Sequence, residues 1–129
     1  MTVIERWHQI MVSGSLEGLP DLLAPDCVFW SPVVHTPQRG RDITLMYLGA
    51  AQQVLNEDFH YVREVVSGDS AVLEFECVVD SIQINGIDMI RFDDDHIVDF
   101  KVMVRPLKAI NKLHEKMMSM LDQMKASAS

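Results

Sequence analysis

Apolar residues recur at helical spacing across residues 2–12, at Val3, Ile4, Trp7, Ile10 and Met11, while Glu5, Arg6 and Gln9 fall on the other face. The spacing predicts a helix, with Thr2 and Glu5 placed for a reciprocal capping box and Gly14 for its end. Ser15 is set to cap a second short helix over residues 16–23, with Pro20 in or near its first turn. Pro25 and Asp26 stop that helix and lead into an apolar strand over 27–30. The stretch from Val28 to Gly40 is then broken by Pro32 and Pro37 and closes on Arg39-Gly40-Arg41. Asp42 reads as the N-cap of a third helix over 43–55, with Leu45, Met46, Leu48 and Val54 among its apolar positions, ended by Asn56-Glu57-Asp58.

From Phe59 the period changes to two, predicting strands over 59–66, 71–81, 87–92 and 97–105. Ser67-Gly68-Asp69, Asn85-Gly86 and the run Asp93 to His96 supply the turns. Asn-Gly is a strong hairpin signal, because both residues tolerate positive φ. Turns this short make successive strands antiparallel. Pro106 ends the sheet, and a closing helix follows over 107–125. Its apolar stripe is Leu107, Ile110, Leu113, Met117, Met120 and Leu121, and residues 126–129 are expected to fray. The expectation is a single α+β domain over 1–129: a curved antiparallel sheet wrapped around N-terminal helices, with an extra C-terminal helix. Such a cone has an open, concave end of the kind small ligands occupy.

Composition narrows the function classes. The chain has 129 residues, 48% hydrophobic and 23% charged, which suits a single globular domain. Eleven basic against 19 acidic residues leave a net charge of -8, which argues against nucleic-acid or anionic-membrane partners. No apolar run is long enough to span a membrane. Glu5 and Arg6 lie inside an amphipathic pattern unlike a signal peptide, so the expected compartment is the cytoplasm. Cys27 and Cys77 lack metal-ligand spacing; buried thiols are the plainer reading, and a disulfide between them is the alternative. Asp93-Asp94-Asp95 lacks the alternating ligands of a calcium loop, and no phosphate loop, GxSxG or HExxH motif occurs. No metal or cofactor is expected.

Asp88 shares a strand face with Ile90 and Phe92. A carboxyl among apolar groups is held toward its neutral form, so Asp88 is a candidate general acid or hydrogen-bond donor; a bond to a backbone amide or to Arg41 is the structural alternative. His35, between two prolines near the mouth, is the candidate base working near neutral pH. Trp7, Trp30 and Tyr47 are candidates for an aromatic pocket wall, joined by Phe75, Ile90 and Phe100 from the apolar strand faces. Glu74 and Glu76 alternate with Leu73, Phe75 and Cys77, so they belong on the outer face, where Arg63, Arg91 and Lys101 are available partners. The Met-rich closing helix either lids the mouth, meets a partner or fills its own domain's groove.

Three segments carry a family resemblance. Ser13-Gly14-Ser15-Leu16-Glu17-Gly18-Leu19 followed by Leu22-Leu23-Ala24-Pro25-Asp26-Cys27-Val28-Phe29-Trp30-Ser31-Pro32, then Gly40-Arg41-Asp42-Ile43, then Gly86-Ile87-Asp88 through Phe92 with His96 to Phe100 resemble the nuclear transport factor 2-like superfamily. That group includes ketosteroid isomerases and SnoaL-like polyketide cyclases. The resemblance implies a cystatin-like cone holding a small, largely apolar molecule, and a homodimer formed through the outer sheet face. It implies either a lyase, isomerase or cyclase working by acid–base chemistry, or a non-catalytic ligand-binding or scaffolding domain. Carried onto this chain, the ketosteroid isomerase oxyanion tyrosine falls on Trp7, its general base on Ser31 and its protonated second donor on Asp88. A serine hydroxyl cannot take a carbon-bound proton unaided, which disfavours that enzyme's mechanism here and leaves Ser31 a pocket residue.

Overall fold

A computed structural model describes residues 1–128. Helix α1 (Val3–Ser13) forms as its spacing predicts. The Thr2 hydroxyl accepts from the Glu5 N–H, Glu5 reaches back to the Thr2 N–H, and Gly14 ends the helix at φ 71°. Its buried face is Val3, Ile4, Trp7 and Ile10. The second helix is shorter than expected: α2 (Leu19–Leu22) starts after Gly18, with Pro20 in its first turn. Ser15 does not cap it, and its hydroxyl accepts from the Glu17 N–H in a local turn.

Strand β1 (Leu23–Trp30) begins ahead of Pro25, where a helix end was expected. Proline is tolerated because the pairing to the neighbouring strand is irregular between Leu23 and Val28, so no ladder N–H is needed there. A short strand β2 (Gln38–Arg39), not foreseen from the sequence, pairs antiparallel with β1. Helix α3 (Arg41–Val54) is capped by Gly40 at φ 108°, not by Asp42, which lies in its first turn. The buried Thr44 hydroxyl donates to the Gly40 carbonyl at 2.8 Å and fixes that corner.

The remaining strands are β3 (Glu57–Ser67), β4 (Ser70–Val79), β5 (Ile82–Asp93) and β6 (His96–Arg105). The sheet order is β2-β1-β6-β5-β4-β3, antiparallel except where β1 lies parallel to β6. Asn85-Gly86 is not a turn. The β4–β5 hairpin turns at Asp80 and Ser81, at φ 48° and 68°, and Gly86 sits within β5 opposite Phe75. A β-carbon on Gly86 would lie 2.5 Å from Phe75 Cζ and 2.7 Å from the Met103 carbonyl oxygen. Glycine is there for close approach, not for positive φ.

Helix α4 (Leu107–Ala128) extends through most of the tail expected to fray, and Ser129 lies outside the described residues. Its buried face is Ala109, Leu113, Met117 and Leu121, whereas Leu107 is 73% exposed. Lys112 and Lys116 reach Asp80 at 3.6 and 3.1 Å and pin the helix against the β4–β5 turn. The buried core falls into two clusters. One joins α1, α2, β1 and part of the sheet through Trp7, Leu22, Phe29 and Phe100. The other joins α4 to the far sheet through Phe75, Ile84, Leu113 and Met117. Among the described residues no helix is long and apolar enough to cross a membrane.

Candidate functional site

A cavity of about 280 Å³ draws its walls from both core clusters. Trp7 and Met11 come from α1, Phe29 from β1, Phe59 and Phe75 from β3 and β4, Phe100 and Val102 from β6, and Leu113 and Met117 from α4. Gly14 and Asn56, both exposed, mark its opening. Among the described residues, Asp88 is the one ionisable side chain in the wall.

Alternation along β5 turns Ile84, Gly86, Asp88 and Ile90 inward, and Asp88 is 6% exposed. The Tyr61 hydroxyl donates to Asp88 Oδ2 at 2.7 Å, and the Trp7 indole N–H donates to the Tyr61 oxygen at 2.9 Å. Among the described residues no sealed side-chain oxygen lacks a partner, so Oδ1, which has none, must border the cavity. Burial pushes Asp88 up from 3.8 to about 7, outweighing the Tyr61 bond that favours the ionised form. Tyr61 is pushed above its ordinary value by burial and then by the Asp88 charge, so it stays a donor near neutral pH. The result is one carboxyl, half-protonated near neutrality, facing an apolar space. It can donate a hydrogen bond or exchange a proton there.

The structure brings together Trp7, Ser31, Phe75, Asp88 and Phe100 around this cavity. It does not bring in His35, which is exposed and borders a separate recess of about 450 Å³ with Trp30, Val34 and Lys101. Trp30 faces that recess too: its indole N–H donates to Asp99 at 2.7 Å, and Lys101 Nζ lies 4.9 Å from its ring. Ser31 borders both spaces, its hydroxyl accepting from the Val33 N–H. Tyr47 stacks on Phe29 at 5.2 Å, behind the cavity wall, and Ile90 is core. Arg41 is not the Asp88 partner; Tyr61 is. Sequence reasoning passed over Tyr61. Its signal was a phenol two positions from Phe59 on one strand face, near a carboxyl and an indole that both need partners.

On the outer face Arg63 pairs with Glu74 at 3.0 Å, as expected. Asn85 and Arg105, not Arg91 or Lys101, extend that network. No group of three or more His, Cys, Asp or Glu among the described residues is placed to hold a metal ion. Cys27 and Cys77 are buried and unlinked.

Residues 4–100 match the SnoaL-like domain family. A crystal structure described as a steroid delta-isomerase from Pseudomonas aeruginosa is 45% identical, covers 96% of this chain and 92% of its own, and superposes with a TM-score of 0.92. An uncharacterised cystatin-like-fold protein from Silicibacter pomeroyi is 31% identical, covers 91% and 83% of the two chains, and has a TM-score of 0.84. An NTF2-like protein of unknown function from Mesorhizobium loti, 21% identical over 81% and 88% of the chains with a TM-score of 0.72, shares the fold. No curated protein matches. A matched domain that takes in the Asp88 strand, and a cone shared with these proteins, lead to one conclusion: the chain belongs to the SnoaL-like family of the nuclear transport factor 2-like superfamily.

Proposed function

We propose that the chain binds a small, largely apolar molecule carrying one carbonyl-like acceptor, and moves a proton at that group in an isomerase- or cyclase-type step without a cofactor. The observation that carries this reading is Asp88, the only ionisable group among the described residues lining an aromatic-walled cavity, with one oxygen held by Tyr61 and the other facing the ligand space. Protonated, Asp88 donates to the carbonyl oxygen and holds the ligand; ionised, its Oδ1 takes a proton from the adjacent carbon and returns it to the resulting enolate. A group half-ionised near neutrality can both give and take the proton, so a single carboxyl suffices to shuttle it across one face. His35, in its separate recess, has no part in this step.

The test is ligand binding against pH. A neutral cyclic ketone should bind tightly below about pH 7 and lose affinity above it as Asp88 ionises. Affinity indifferent to pH and to Asp88→Asn would remove the reading. The second reading, a binding domain without turnover, is favoured by the lack of another ionisable group among the described residues of the wall. Binding without hydrogen exchange next to the carbonyl would select it.

We further propose a homodimer through the outer sheet face, where Met89 and Met103 are 37% and 49% exposed beside the Arg63–Glu74 network. We place the protein in the cytoplasm, since two buried, unlinked thiols suit a reducing compartment.

A further inference from the structure

We infer that this cavity selects one- and two-ring carbonyl compounds and excludes tetracyclic ones, with Leu113 and Met117 of α4 setting the limit. The inference rests on the reading of Asp88 given above. An apolar cavity of about 150 Å³ holds benzene, so 280 Å³ holds roughly eleven non-hydrogen atoms on the same scale. A tetracyclic ketone needs roughly 500 Å³ on that scale. This space also falls just below the range of roughly 300–1,000 Å³ that drug-sized ligands occupy.

The wall shows what takes up the room. Asp88 belongs to β5, and α4 closes over the same sheet with Leu113 and Met117 one turn apart, 2% and 7% exposed. Both side chains line the cavity while anchoring the second core cluster, so they cannot swing aside without opening that cluster. The helix is held at its flank by Lys112 and Lys116 on Asp80. The α3 side is equally fixed: Leu48 and Leu55 line the cavity and are 7% and 9% exposed. Asp88 thus takes the carbonyl, and Leu113 and Met117 share the wall that bounds the rings. A steroid, named in the description of the Pseudomonas aeruginosa relative, is larger than this space.

Isothermal titration calorimetry of the full chain with α-tetralone (two rings) and progesterone (four rings) tests this. The wild-type chain should bind α-tetralone at least tenfold more tightly than progesterone. Met117→Ala should narrow that ratio by enlarging the space beside α4. Progesterone binding the wild-type chain as tightly as α-tetralone would overturn the size limit while leaving the reading of Asp88 intact. Binding of neither ketone would remove the reading itself and the inference with it. The wild-type comparison decides the matter even where Met117→Ala fails to fold.

Discussion

Replacing Asp88 by Asn should make the protein more stable, and by an amount that grows with pH. Folded Asp88 keeps its proton to about pH 7, whereas in the unfolded chain it loses it near 3.8. Between those values the folded state binds more protons than the unfolded one, so the wild-type chain loses stability as pH rises, and the loss is complete above about pH 7. The full interval corresponds to about 4 kcal/mol. Asn in this place has no proton to lose, and its amide oxygen still accepts the Tyr61 hydroxyl. Urea unfolding of both proteins, from about pH 4 to about pH 8, gives the difference directly. Every other carboxylate titrates in both chains and cancels. The two should be similar near pH 4, and the Asn variant should lead by a few kcal/mol near pH 8. Parallel stability curves would show that Asp88 is ionised at its ordinary pKa, and the poised-acid account would fail.

Tyr61→Phe removes the bond that favours ionised Asp88, so the carboxyl should titrate still higher, and stability should drop by about 1–2 kcal/mol. A carbon NMR titration reads the first effect, and an unmoved Asp88 signal would mean that burial alone sets the value. Gly86→Ala forces a methyl against the Phe75 ring and the Met103 carbonyl, and should cost about 1–3 kcal/mol. An unchanged melting temperature would show that Phe75 has another seat. Met103→Glu should turn the proposed dimer into a monomer in sedimentation, and a monomeric wild-type chain would remove that partner.

The fold was legible because periodicity changes cleanly at Phe59 and because Thr2, Gly14 and Pro106 punctuate it. Local chemistry misled where one residue type serves two purposes. Asn85-Gly86 carries the hairpin signature, yet the chain spends its positive φ at Asp80 and Ser81 and uses Gly86 to admit Phe75. Pro25 reads as a break, yet an irregular ladder accommodates it. Asp88 was visible as a carboxyl in an apolar alternation. Its partner was not, because β3 reaches β5 only across β4 and the β3–β4 register slips at Tyr61. His35 looked promising as a loop histidine, but the side of the sheet to which a Pro-broken loop delivers a residue is a tertiary outcome.

The parallel seam between β1 and β6 governs the order in which the molecule can be made. Val28, Phe29 and Trp30 leave the ribosome early, while their partners Asp99, Phe100 and Lys101 are among the last of the sheet to appear. The Trp30–Asp99 bond spans a separation of 69 residues. The apolar edge of β1 therefore stays uncovered until β6 has emerged, a slow, non-local closure. Fragments that stop before β6 should aggregate rather than accumulate as folded intermediates, and a chaperone has its longest opportunity during that interval.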